Sequence, residues 1–247
     1  MPKSNTITNI LQVFLHKQPS MIGFVDSGIG GASILNACKE VLAGQQVFYL
    51  CDNNNAPYGS KSKQQIEEIL LANAKVLAEL GCKVVVVACN TATAAAIKHA
   101  REKMPEIIFI GTEPNIKAPI ALGLKNIAVL CTPATAKHSE TLKKFEGRCD
   151  LICIPELATM VENEQQDIAP LFDGVDCAKY DAVVIGCTHY TFIEDKLRWV
   201  LFKNAQFFDS REGVAKRLKQ VLLTKQTVLC TLQDKEKQER IIKLLQF

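Results

Sequence analysis

The chain has 247 residues, 48% of them apolar and 22% charged, with 29 basic against 26 acidic side chains. Such a chain is expected to be globular, as one large domain or two of roughly 100 to 120 residues, which excludes a disordered chain and a collagen-like repeat. The net charge of +3 is spread thinly and aromatics make up only 6%, so nucleic acid is not an expected partner.

In chain order, short β-rich runs alternate with helix-period segments. Strands are predicted over 21–26, 46–51, 83–88, 107–111, 126–130, 151–154, 182–186 and 205–208. Helices are predicted over 31–42, 63–80, 91–103, 134–145, 157–172, 192–201, 211–223 and 235–245, with Gly44, Gly81 and Gly147 just past three of the helix ends. This alternation is the pattern of βα units and predicts an α/β fold with a largely parallel sheet.

No apolar run approaches the ~20 residues needed to cross a bilayer, and residues 1–20 do not have the layout of a signal peptide. The expected compartment is the cytoplasm, and no membrane partner is expected. The ten cysteines form no CxxC pair and are expected to be reduced.

Two segments resemble each other: VVVVACNTAT at 84–93 and AVVIGCTHYT at 182–191. Each reads as a buried strand, a small residue, a cysteine, a polar pair containing threonine, and a helix start. Two similar α/β halves facing each other across a cleft would account for this. The expected division is 1–115, with 210–247 folded back onto it, and 116–209.

Ligands of open α/β sheets bind beyond the carboxyl ends of the strands. Asp26-Ser27-Gly28, Asp52 to Gly59, Cys89-Asn90-Thr91, Cys131-Thr132, Glu156 to Glu162 and Cys187-Thr188-His189 all fall at such places. Gly28, Gly30 and Gly31 after a strand, with Asp52 at the end of the next, allow a dinucleotide reading. Ser33, however, stands where a third glycine belongs, and the alternative is a tight strand-to-helix turn that requires glycine.

The paired cysteines carry more. A thiol at a strand end before a helix faces the positive end of the helix dipole and is expected to be a stronger acid than an ordinary cysteine. Two thiols on opposite sides of a ligand suit inversion at carbon, one taking a proton from one face while the other delivers a proton to the opposite face. Sulfurs about 3 to 3.5 Å from that carbon would lie roughly 6 to 7 Å apart. Ser27, Asn90, Thr91, Thr132 and Thr188 offer neutral hydrogen-bond donors for carboxylates. No lysine has a Schiff-base context and the four histidines are scattered, so neither a cofactor nor a metal is expected.

DSGIGG (26–31), Asp52 with Pro57-Tyr58-Gly59, VACNTA (87–92), GTEPNIKA (111–118) and GCTHY (186–190) closely resemble, in order and spacing, motifs of bacterial glutamate racemases in the aspartate/glutamate racemase superfamily. The resemblance covers about residues 21–215. It implies two pseudo-symmetric α/β domains with the active site in the cleft between them. The implied activity is cofactor-independent interconversion of L- and D-glutamate, supplying D-glutamate for peptidoglycan.

On this resemblance Cys89 and Cys187 are the acid/base thiols, the first serving the D- and the second the L-enantiomer. Asp26 and His189 are the groups that tune them, and Glu162, in ELATMVEN, is a third. Ser27, Tyr58, Gly59, Asn90, Thr91, Thr132 and Thr188 match substrate-binding positions. Thr191-Phe192, Cys131 and Arg211 depart from the family pattern.

Structural alternatives remain for each helper: His189 or Asp26 as a helix cap, Glu162 as a solvated helix residue, Tyr58 as turn packing. The competing functions are racemisation of aspartate or another amino acid, a nucleotide-binding module built on the Gly28 loop, and a binding protein with idle thiols. Two-fold dimers are the commonest oligomers in general, and a homodimer is the one assembly entertained.

Overall fold

The computed structural model describes residues 21–165 and 167–224. Both of its sheets belong to one compact body within Pro19–Gln220. The eight strands are β1 (Met21–Asp26), β2 (Gln46–Cys51), β3 (Val84–Val87), β4 (Ile108–Gly111), β5 (Ile127–Cys131), β6 (Asp150–Cys153), β7 (Ala182–Gly186) and β8 (Gln206–Phe208). Each of the eight predicted strands is present, within two residues at either end.

They form two four-stranded sheets, ordered β2-β1-β3-β4 and β6-β5-β7-β8. Every pairing is parallel. The second order repeats the first, so β1 corresponds to β5 and β3 to β7. That is the pseudo-symmetric α/β architecture the repeated motifs predict.

Strands β3, β5 and β7 are buried along their whole length. This is why VVVV, IAVLC and AVVIG read as continuous apolar runs rather than alternating ones. Between the strands lie helices α1 (Ala32–Ala37), α2 (Lys63–Glu79), α3 (Asn90–Lys103), α4 (Lys117–Ala121), α5 (Pro133–His138), α6 (Glu140–Lys144), α7 (Leu157–Glu162), α8 (Glu194–Lys196) and α9 (Arg211–Thr224). Helix α2 starts with a capping box in which Ser62 and Gln65 exchange backbone and side-chain bonds, and it buries Ile66, Leu70, Ala74 and Leu77 along one stripe. It ends at Gly81, whose φ of +91° suits glycine; Gly44 and Gly147 also have positive φ.

Several predicted helices are shorter than their apolar pattern. The 31–42 segment keeps regular helix only through Ala37 and continues as turns. The 134–145 segment divides at Ser139, whose Oγ accepts the Leu142 N–H at 3.2 Å and caps a second helix, α6. The 157–172 segment stops at Glu162, because Glu164 takes a φ of +56° that no helix continues through; a separate 3-10 turn follows at Ala169–Phe172. The 192–201 segment is a 3-10 turn over Thr188–Ile193, the short α8, and a π turn over Leu197–Leu201. Helix α4 has no counterpart among the predicted helices.

The predicted 235–245 helix, and the folding back of the chain beyond residue 224, lie outside the described residues. No helix among the described residues is long and apolar enough to cross a membrane. Ser139→Ala is expected to cost about 1 kcal/mol through the lost cap, read as a lower urea midpoint with an unchanged slope.

Candidate active site

Parallel pairing with a 2-1-3-4 order sets the carboxyl end of β1 beside that of β3, and the end of β5 beside that of β7. Asp26-Ser27 therefore comes next to Cys89, and Cys131-Thr132 next to Gly186-Cys187. Cys89 and Cys187 each occupy the N-cap position of the helical turn that follows, α3 in one half and Thr188–Ile193 in the other. Both thiols line one cavity of about 260 Å³. Ser27, Tyr58, Gly59, Asn90, Thr91, Thr132, Glu162 and His189 line it too. Of the residues singled out in the sequence, Asp26 and Thr188 stand behind this lining rather than in it.

The two halves are tied across the cavity by side chains. Thr188 donates to Asp26 Oδ2 at 3.2 Å, and Thr91 and Thr132 share a hydroxyl bond of 2.8 Å. The Ile29 N–H donates to the Glu162 carboxylate at 3.1 Å. His189 Nε2–H donates to Glu162 Oε2 at 2.6 Å, and its Nδ1 lies 3.9 Å from Cys187 Sγ. A carboxylate can only accept, so Nε2 carries a proton toward Glu162 while Nδ1 faces the Cys187 thiol. Glu162 is therefore not a solvated helix residue.

Asp26 does not cap α1 either, because the N-cap there is Gly31. Its Oδ1 instead accepts the Gly28 N–H at 2.9 Å. Near Cys89 the polar side-chain neighbour is Ser27 Oγ, at 3.9 Å.

The expected acidification of the thiols is corrected by the structure. Burial pushes Cys89 up to about 12, with a further rise from the Asp26 carboxylate; the N–H groups of Ala92 and Thr91 and the Ser27 hydroxyl oppose it. Burial likewise raises Cys187, as does the charge of Cys89, against the N–H groups of His189 and Tyr190. The helix starts do aim N–H groups at both sulfurs, but desolvation outweighs them. Burial also raises the Asp26 carboxyl, while nearby His189 is the largest of the influences lowering it.

Two polar residues of the lining, Asn90 and Tyr58, serve structure as much as the cavity. Asn90 Nδ2 donates to the Thr112 carbonyl at 3.0 Å. Tyr58 lines the cavity with its ring while its hydroxyl donates to Asp52 Oδ2 at 2.5 Å. Asn55 and Asn73 donate to the same carboxylate. This network, which sequence reasoning missed, fixes the loop that carries Gly59. Its signal in the sequence is the repeated Asn53-Asn54-Asn55 after Asp52, followed one helix face later by Asn73.

The same network removes the basis of a dinucleotide reading, because the acid expected to hold a ribose is already satisfied. The glycines are also spoken for. A Cβ on Gly28 would fall on the Glu162 carboxylate, and one on Gly30 would lie 2.5 Å from Thr188 Oγ1 and 2.6 Å from His189 Nδ1. The loop is glycine-rich so that the second half can close on it.

Of the departures, Thr191 donates to the Thr188 carbonyl at 2.7 Å, and half-exposed Phe192 lies outside the cavity. Arg211 pairs with Asp209 and Glu194. A larger groove of about 880 Å³ between α1 and α9 contains neither thiol. Among the described residues no group of three or more His, Cys, Asp and Glu is placed to hold a metal ion.

Gly30→Ala is expected to cost about 1 to 3 kcal/mol by forcing the halves apart. Gly213→Ala, in α9 with open space around it, is expected to be neutral or stabilising by up to about 1 kcal/mol. Thermal unfolding of the two variants side by side checks both.

Residues 22–216 match the family model described as Asp/Glu/Hydantoin racemase. The chain is 33% identical over 229 residues to the glutamate racemase of Clostridium novyi (strain NT), covering 87% of each chain. It is 36% identical over 213 residues to that of Campylobacter concisus (strain 13826), covering 80% of each. The structure of Escherichia coli glutamate racemase in complex with L-glutamate and the activator UDP-MurNAc-Ala superposes with a TM-score of 0.75 at 26% identity, over 87% of this chain and 86% of that one. Glutamate racemase isoform RacE1 from Bacillus anthracis gives 0.71 at 28% identity, over 83% and 82%. With the match extending through both cysteine motifs and both sheets, the chain belongs to the Asp/Glu/hydantoin racemase family.

Proposed function

We propose that the protein interconverts L- and D-glutamate by a two-thiol acid/base mechanism without a cofactor, supplying D-glutamate for peptidoglycan in the cytoplasm. The observation that carries this is the placement of Cys89 and Cys187, from equivalent positions of two similar halves, in the lining of one cavity. A space of about 260 Å³ is below the ~300 Å³ where pockets for drug-sized ligands begin. It suits an amino acid of about ten heavy atoms and not a dinucleotide several times larger. The relatives called glutamate racemase favour glutamate over aspartate.

In this reading the two domains between which the substrate lies are, among the described residues, 21–115 with 210–220, and 116–209. Ser27, Gly59, Asn90, Thr91 and Thr132 bind its carboxylates and ammonium through neutral groups, and the Tyr58 ring packs against it. Cys89 takes the Cα proton of D-glutamate while Cys187 protonates the opposite face, and L-glutamate reverses the roles. His189 and Glu162 position and receive the Cys187 proton. Asp26 acts from behind the lining, on Cys89 through its charge and on the second half through Thr188.

Incubation in D2O with either enantiomer is expected to place deuterium at Cα as the optical rotation falls to zero. Absence of exchange with both enantiomers under reducing conditions would sink the proposal. Cys89→Ser and Cys187→Ser are each expected to lose 100-fold or more in racemisation, because a hydroxyl is too weak an acid to replace a thiol.

The pH dependence follows from the raised thiols. The base must be a thiolate, so kcat/KM for D-glutamate is expected to climb through the alkaline range toward the Cys89 value of about 12. Asp26→Asn removes a negative charge that raises that thiol and is expected to move the ascending limb to lower pH, measured by polarimetry across pH 6 to 11.

A further inference from the structure

We propose that Cys131 and Cys153, at the carboxyl ends of neighbouring strands of the second sheet, are a modification site: a dithiol that peroxides convert to a disulfide beside the active site. The two residues are register partners on β5 and β6, and their sulfurs lie 3.9 Å apart. Neighbouring strands run about 4.8 Å apart, which is inside the Cα separation of about 4.4 to 6.8 Å that a disulfide bridges. Their Cβ atoms leave the same face of the sheet, so side-chain rotation with a small shift of β5 toward β6 brings the sulfurs from 3.9 Å to bonding distance.

The two members have the unequal environments the chemistry needs. Cys153 is exposed and Cys131 is fully buried. The contact between the two thiols lowers Cys153, against a smaller opposing effect of burial, and raises Cys131. The outer sulfur is therefore the accessible nucleophile and the inner one keeps its proton until it is needed.

The pseudo-symmetry supplies an internal comparison. In the first sheet the equivalent register pair is Asp26 with Cys51. There an exposed thiol faces a carboxylate instead of a second thiol, and its acidity is weakened by burial and by the charges of Glu162 and Asp26.

Both steps balance. The Cys153 thiolate attacks one oxygen of hydrogen peroxide, the O–O bond breaks, and hydroxide leaves as a sulfenic acid forms. The Cys131 thiol then attacks that sulfur, the S–O bond breaks, and the departing hydroxide takes the Cys131 proton as water. Two thiols are oxidised by two electrons and the peroxide is reduced to two waters.

The position has a consequence for the cavity. Cys131 lies between Cys153 on one side and Gly186 on the other, one residue from Cys187, and it leads directly into Thr132. Thr132 lines the cavity and bonds Thr91 across it. A bridge that draws Cys131 toward β6 draws Thr132 with it and weakens substrate binding. This consequence rests on the racemase reading above, whereas the disulfide itself does not.

The test treats the reduced full-length protein with hydrogen peroxide, blocks remaining thiols with N-ethylmaleimide, and maps peptides by mass. The expected result is a 131–153 cross-link that dithiothreitol reverses. It should survive in Cys149→Ser and be absent in Cys153→Ser, with Cys51 oxidised at least tenfold more slowly than Cys153. A cross-link through Cys149, irreversible oxidation of Cys153 without a bridge, or equal rates at Cys51 and Cys153 would each overturn the assignment. In parallel, a reversible rise in KM for glutamate is expected in wild type and not in Cys153→Ser. A cross-link without that rise overturns the effect on the cavity and leaves the modification site standing.

Discussion

A thiol that is to take a proton from carbon has to be out of water, and a thiol out of water is a poor acid. Both sulfurs at the cavity meet the first condition, and the cost shows at Cys89, which burial, with the Asp26 carboxylate adding to it, pushes up to about 12. Much of the surrounding structure answers that conflict. Each sulfur sits at the start of a helical turn where backbone N–H groups can stabilise a negative charge, and each shares the cavity with uncharged hydroxyls and amides rather than with lysine or arginine. A bound α-ammonium would bring the missing positive charge at the moment it is wanted, since an opposite charge within a few ångströms favours the ionised thiol. Resting thiols that stay protonated until substrate arrives are also poor nucleophiles toward anything else that enters.

The fold delivers this arrangement because a 2-1-3-4 parallel order repeated twice gives two identical strand ends to work with. Closing them on each other demands that the first βα turn lie almost in contact with the second half. That is where Gly28 and Gly30 are found, with Glu162, Thr188 and His189 occupying the space that side chains would have filled. None of these glycines has a positive φ, so the requirement comes from the approach of the other half and not from the turn itself. A local motif search cannot separate the two, and a glycine-rich turn after a strand looks like a phosphate site whenever its real neighbour is distant in sequence.

Most of the sheet was legible because parallel strands buried on both faces leave a plain signature: VVVV and AVVIG admit little else. The thiols were legible for a second reason, that the same local pattern occurs twice, and a repeat of a rare residue in a matching context is information that no single occurrence carries. Helix ends were less legible where one side chain decided them. Ser139 begins a new helix inside an apolar pattern that runs on past it, and Glu164 stops one where the pattern continues. The acidity of the thiols was misjudged because the helix dipole is visible from local sequence, whereas burial is set by residues from the whole chain. The Asp52 network was missed for a related reason: Asn73 is brought to it by the pitch of α2, and its amide looks like an ordinary surface residue of a polar helix face.

The symmetry is broken in the helpers, and the break is chemically sensible. The last residue of β1 is a carboxylate, Asp26, and its equivalent at the end of β5 is a thiol, Cys131. The first half therefore surrounds Cys89 with a charge and a hydroxyl, while the second surrounds Cys187 with an imidazole backed by Glu162. Two identical environments would give the two directions of proton transfer the same local assistance. In the proposed reaction, unequal ones let each sulfur be adjusted separately to its own enantiomer. Glu162 and Thr188 both reach across to the first half, so the parts that distinguish the two thiols are also the parts that hold the halves together, and a change in either one alters the closure of the cavity along with the chemistry inside it.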